Sequence, residues 1–237
     1  MISLLTYTTP PGPCGYLPDR TWRLEYEIVA AMSVREYEQR LERGWRHFGH
    51  ALFHPQCPTC HACQSLRVDT KRFQPSRSQR RARKLNEKQV RLEIGRPSPT
   101  SAKLKLHDAF HRFQSDRKGW PLHEPKDTES YSSSFIENPF QVREWCYYIE
   151  DRLVGVGYVD ELPGALSAIY FFYDPQERHR SLGTWNVLSI IDHARRHGQA
   201  HVYLGYYVEG CESLQYKANF RPNEVLGADG HWHLFRE

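Results

Sequence analysis

Four of the six cysteines, Cys14, Cys57, Cys60 and Cys63, fall in the first third of the chain, and the last three are separated by two residues each. That spacing lets one short loop turn several sulfurs toward one ion. With Cys14 as the fourth, the set suits zinc or an iron–sulfur cluster. The same residues also read as free or redox-active thiols, and Cys146 and Cys211, each alone, read as buried thiols. A second chemical signal is charge. Over Arg67 to Arg96 there are eleven Lys/Arg against three acids, whereas the whole chain carries only +4. Such asymmetry points to a polyanionic partner, the alternative being a solvated helix face. Some chemistries find no support. There is no Gly-x-Ser-x-Gly elbow, no phosphate loop ending in Gly-Lys and no His-Glu-x-x-His pair, which speaks against serine hydrolases, P-loop nucleotide triphosphatases and zinc proteases.

The elements that must position these groups follow from periodicity and punctuation. Residues 22–31 have the look of a strand. Ser33 to Glu36 forms a capping box, and Val34, Tyr37, Leu41, Trp45 and Phe48 then keep helical spacing toward Gly49. The cysteine loop leads to a short strand over 65–70. Ser76 with Gln79 makes a second capping box, opening a helix on which Arg77, Arg80, Arg81, Lys84 and Lys88 share one face. A helix over 104–117 carries Leu106, Phe110 and Phe113, and the Ser- and Pro-rich stretch 119–139 reads as loop. Beyond it lie two strands as a hairpin over 145–159, a third over 165–173, a helix over 182–197 and a fourth strand over 200–207. The composition, 39% hydrophobic and 13% aromatic, supports a real core. The first residues lack the apolar run of a signal peptide or a membrane span, so a cytoplasmic protein is expected.

An antiparallel meander of three strands, a crossover helix and a fourth strand is the order of the acetyltransferase-like (GNAT) fold around its acyl-donor site. The expected class is α/β. An N-terminal region of residues 1–99 bears the cysteines and the basic helix, and residues 100–237 form the acetyltransferase-like region. There, a loop before a helix N-terminus meets the donor's phosphates. That loop is Arg178, Arg180, Ser181 and Gly183, with only one of the two glycines an acetyl-CoA loop carries. Tyr173 and Asp174, at the end of the third strand, are placed to orient an amine or relay its proton; a packed tyrosine and an Asp-Pro turn would account for them equally.

The chain resembles the arginyl-tRNA–protein transferase family of the N-end rule pathway over nearly its whole length, and within it the bacterial aspartate/glutamate leucyltransferases. The resemblance is carried by Cys14-x-Tyr16-Leu17-Pro18-Asp19-Arg20, Arg43-Gly44-Trp45-Arg46, the cysteine run through Leu66-Arg67, and Phe73-x-Pro75-Ser76-Arg77-Ser78-Gln79-Arg80-Arg81. Further on it continues in Tyr170 to Pro175, Arg180 to Gly183, Tyr203 to Tyr206 and Tyr216-Lys217-Ala218-x-Phe220-x-Pro222. It implies transfer of leucine, or alternatively arginine, from charged tRNA to proteins beginning with Asp or Glu, marking them for degradation. Charged tRNA and such proteins are then the partners, with neither membrane nor DNA. The aminoacyl ester is already activated, so no cofactor is needed for the chemistry; zinc or a cluster would be structural or regulatory. On this reading Arg77, Arg80, Arg81 and Lys84, with the loop through Gly183, face tRNA. Arg20, Arg67 and Lys217 are the candidates for the acceptor's carboxylate. Two rivals are a non-catalytic RNA-binding module and a CoA-dependent N-acetyltransferase.

Overall fold

The computed structural model describes residues 1–237. The chain opens with β1 (Ile2–Thr8), a ribbon of β2 (Gly12–Pro13) and β3 (Thr21–Trp22), and β4 (Leu24–Ala31). Helix α1 (Val34–Glu42) follows, capped by Ser33 and Glu36 as expected. It stops earlier than the apolar spacing suggested. Gly44 turns the chain at φ +89°, and Trp45 and Phe48 pass into β5 (Arg46–Phe48), which pairs with β6 (Ala51–Pro55). These strands make a small sheet in the order β1-β4-β6-β5.

The large sheet begins with β7 (Gln64–Asp69). Helix α2 (Arg77–Asn86) is capped by Ser76 and Gln79; it ends two residues before Lys88, which sits beyond the last turn. After β8 (Val90–Gly95) and α3 (Ser101–Lys118), the stretch expected to be loop contains α4 (Thr128–Phe135). Asp127 caps it, and buried Tyr131 and Phe135 hold it to the sheet. Then come β9 (Val142–Ile149), β10 (Arg152–Glu161), β11 (Ala165–Tyr173), α5 (Leu182–Arg196), β12 (His201–Tyr207), β13 (Asn223–Leu226) and β14 (Trp232–Arg236).

The sheet order is β14-β13-β7-β12-β11-β10-β9-β8. Every neighbouring pair is antiparallel except β11 and β12, which the α5 crossover makes parallel. Strand alternation sends Trp145 and Tyr147 to the face covered by α5, and Cys146, Val156, Tyr158 and Phe172 to the face covered by α3 and α4. The protein is thus mixed α/β. Strands β7 and β8 precede residue 100, so residues 1–99 and 100–237 share one sheet, and a boundary between them cuts through it. The small sheet is joined to this core by Tyr37, Leu41 and Leu52 packing with Leu162, Ala165 and Tyr203, and by a buried His47–Asp160 contact of 3.1 Å. No helix is long and apolar enough to cross a membrane.

Candidate active site

Strands β11 and β12 pair only from Ala165–His201 to Ser167–Tyr203. Beyond that point they part. The cause lies in β12, where Gly205 adopts φ +79° and the register against β7 slips between Tyr203 and Tyr206; an L side chain would be strained at that φ. Between the parted strands opens a cleft of about 1100 Å³. Tyr170, Phe171 and Tyr173 line it from β11, Tyr206 from β12, and Arg46 and Phe48 from the small sheet.

Of the three residues expected to hold the acceptor, the structure brings one to the cleft. Lys217 lines it, with Nζ donating to the Tyr206 carbonyl at 2.9 Å. Burial, then the neighbouring Arg46 charge, pulls its ammonium from 10.5 down to about 7. Arg67 is committed elsewhere. Its Nε donates to Glu224 at 2.7 Å, its Nη1 to the Tyr203 hydroxyl at 3.3 Å, and its guanidinium lies 4.3 Å from the Trp232 ring centroid. Arg20 is exposed and does not line the cleft. Arg46, quoted above only as part of a motif, does line it, and is 5% exposed.

Of the loop residues expected to meet the donor, Arg178, Ser181 and Gly183 line the cleft. Ser181 takes the left-handed conformation, φ +55°, that leads into α5, whose N-terminus has no side-chain cap, so its first amides point outward without internal partners. A Cβ on Gly183 would meet nothing within 4 Å. Arg180 does not line the cleft: its Nε donates to Glu177 at 2.8 Å and its Nη1 to Gln89 at 2.8 Å, tying the loop to the end of α2. Asp174 likewise faces its own loop, accepting from the Gln176 amide at 2.9 Å and pairing with Arg152. Tyr173 lies in the cleft, and burial raises its phenol above the ordinary value. It therefore stays protonated near neutrality and can donate a hydrogen bond but not accept a proton.

Comparison with known proteins places this geometry. Residues 12–81 match the model of the arginine-tRNA-protein transferase N terminus, and residues 105–227 that of the arginine-tRNA-protein transferase C terminus. The chain belongs to this family. It is 34% identical over 225 residues to an aspartate/glutamate leucyltransferase of Campylobacter jejuni subsp. jejuni, covering 93% of this chain and 92% of that protein. The enzyme of the same description from Helicobacter hepaticus is 36% identical over 224 residues (94% and 92%), and that from Aeromonas hydrophila is 36% identical over 231 residues (94% and 92%). Among solved structures, FemX is similar at TM-score 0.47 and 8% identity, covering 87% of this chain and 80% of that one. The C-terminal domain of a putative lysylphosphatidylglycerol synthetase from Agrobacterium fabrum is similar at TM-score 0.48 and 13% identity (71% and 61%).

The N-terminal match of the transferase family contains Cys14, Cys57, Cys60 and Cys63 and the first half of the basic helix. Arg77, Arg80, Arg81 and Lys84 are all exposed, while Gln79, Ala82 and Asn86 on the other face are buried. None of the four exposed cations has a carboxylate within 4 Å, whereas Arg83, between them, is fixed to Asp192 of α5. Cys14, Cys57, Cys60 and Cys63 gather round a second pocket of about 300 Å³, which shares Tyr16, Phe53 and Tyr206 with the cleft. Burial and the adjacent sulfurs push the Cys63 thiol up to about 12. Ligand atoms within 4.8 Å of one another are found at His107, Asp108 and His123, not among the thiols. Cys146 and Cys211 are buried.

Proposed function

We propose that this family member moves leucine from charged tRNA onto the α-amine of proteins that begin with Asp or Glu, marking them for degradation in the cytoplasm. The observation that carries this is the cleft itself, where one opening between parted strands receives both the uncapped N-terminus of α5, suited to a phosphate, and the Lys217 ammonium, suited to a carboxylate. The order β9-β10-β11-α5-β12 round that opening supports an acetyltransferase-like catalytic fold. The names of the relatives favour leucine over arginine.

Aminolysis of the ester needs little from the protein. The acceptor nitrogen attacks the ester carbonyl carbon, the C–N bond forms, the C–O bond to the terminal ribose breaks, and the amine's proton leaves for the ribose oxygen. An α-amine has an ordinary pKa near 8, so a fraction is already free to attack at neutral pH. Positioning and donation to the developing oxyanion supply the rest. Tyr173 is suited to that donation. Asp174, through Gln176 and Arg152, holds the loop that carries Arg178 to the cleft. Arg178, Ser181 and Gly183 would hold the tRNA 3′ end, Arg180 would brace their loop, and Arg77, Arg80, Arg81 and Lys84 would follow the tRNA backbone. Cys14, Cys57, Cys60 and Cys63, which line one pocket, are the residues that would hold a zinc ion or an iron–sulfur cluster, and such a group would serve structure or regulation and not the transfer itself.

Incubation with a pool of charged tRNAs and an Asp-starting peptide, followed by mass measurement, tests the reaction and names the amino acid. A product carrying leucine is expected. An arginine adduct would move the donor to the first alternative. No adduct, together with thermal stabilisation by acetyl-CoA, would replace the reading by an acetyltransferase.

A further inference from the structure

A buried arginine normally has a carboxylate beside it, because an unpaired charge out of water costs several kcal/mol. Arg46 has none. Its Nη1 donates to the Trp45 carbonyl at 2.9 Å, while Nε and Nη2 are buried without any partner. Its guanidinium lies 5.7 and 5.4 Å from the ring centroids of Tyr203 and Tyr206. The second cation is close by. A Cβ added to Gly205 would stand 3.4 Å from Lys217 Nζ and 4.0 Å from Arg46 Nε, so both groups reach the space left by the missing side chain. The acids on the cleft wall, Glu209 and Glu212, are exposed and neither is within 4 Å of Arg46 or Lys217. Two like charges held together in a partly dry corner, with donors to spare, complement an anion that is not part of this chain.

We infer that Arg46 and Lys217 together bind the side-chain carboxylate of the acceptor's first residue. This rests on the transferase reading. A carboxylate offers only acceptors and meets the free Nε and Nη2 hydrogens and those of the ammonium. An amide of the same shape would turn its NH₂ toward them and leave donors unpaired, which is the arrangement that discriminates most strongly. A tRNA phosphate is the other anion within reach, but the exposed Arg178 and the α5 N-terminus serve a phosphate, whereas this corner is partly buried and floored by tyrosine rings.

The test compares wild type with Lys217→Met, Arg46→Met and the milder Arg46→Lys, using peptides that begin with Asp, Glu or Asn. Transfer and calorimetric peptide binding without tRNA are both measured, and melting temperatures identify folded variants. In wild type, the Asp-starting peptide should bind far more tightly than the Asn-starting one. Lys217→Met should raise the KM for Asp- and Glu-starting peptides by at least ~30-fold, the loss typical of a truncated buried charge contact, and leave the KM for charged tRNA in place. The Asp-over-Asn preference should collapse with it. Preference retained in folded Lys217→Met and Arg46→Lys would overturn the inference, as would a rise confined to the KM for tRNA, which would assign the corner to a phosphate. If wild type transfers nothing to any peptide, the transferase reading fails, and binding still decides the carboxylate site by itself.

Discussion

Lys217 should make the protein more stable as pH rises out of neutrality, and its removal should abolish that trend. Its folded-state value is about 7 against an ordinary 10.5, because burial and Arg46 oppose the charge while Cys211 and Cys63 favour it only weakly. Between those two values the unfolded chain binds a proton that the folded chain does not, so stability increases with pH across that window. The penalty is fully present below about 7 and is gone above 10.5. A shift of that size corresponds to a ceiling of about 5 kcal/mol, and partial solvent access to the side chain lowers it to roughly 2–3 kcal/mol. Lys217→Met removes this penalty and also loses the hydrogen bond to the Tyr206 carbonyl, worth about 1 kcal/mol. The variant should therefore be more stable than wild type by roughly 1–2 kcal/mol near pH 6, and the sign should reverse near pH 10. Urea unfolding of both proteins across that range measures the difference. A difference that stays constant with pH would show that this ammonium titrates as an ordinary lysine and that the corner is wetter than its geometry implies.

Changing Arg80 and Arg81 together to Glu should weaken charged-tRNA binding at low salt and flatten its log–log salt dependence by about one to two units, with the melting temperature unchanged because neither residue has an acidic partner; unchanged affinity would end the docking role of α2. Protein purified without oxygen should carry zinc or iron in near-stoichiometric amount, and Cys60→Ser should lose most of it, whereas a metal-free and fully active wild type would leave the cysteines as packing or redox groups. Lys103→Met should destabilise by about 3–5 kcal/mol, since it leaves the buried Glu144 carboxylate with the Tyr158 hydroxyl but without its cation. Adding Glu144→Leu should restore most of that loss in urea melts; a double variant as unstable as the single would refute the pairing argument.

What was legible in the sequence was what local chemistry decides. The capping boxes at Ser33 and Ser76 work through contacts three residues apart, and both helices begin where those residues place them. The end of α1 was hidden because Trp45 and Phe48 keep helical phase although Gly44 has already turned the chain. Helix α4 was hidden because three serines mask the two aromatic residues that fix it. Strand β1 gives no alternation, since all seven of its residues are exposed on a sheet edge. The site divides in the same way. Lys217 stood in a motif and lines the cleft, but Arg67 was equally placed in sequence and is held by Glu224, 157 positions away. No local pattern reports such a partner. Arg46 shows the converse, because its significance is the carboxylate it lacks, and an absence of that kind exists only in three dimensions.

The parting of β11 and β12 has a consequence for the breadth of substrates. Past Ser167 and Tyr203 the two strands no longer satisfy each other, so main-chain amides and carbonyls border the opening. Main-chain groups grip an extended polypeptide by its own backbone and are blind to its side chains. A cleft with such walls and one charged corner can accept the leading segment of any protein and still insist on the identity of a single residue. That suits the proposed acceptors, which need have nothing in common beyond a first residue that is Asp or Glu.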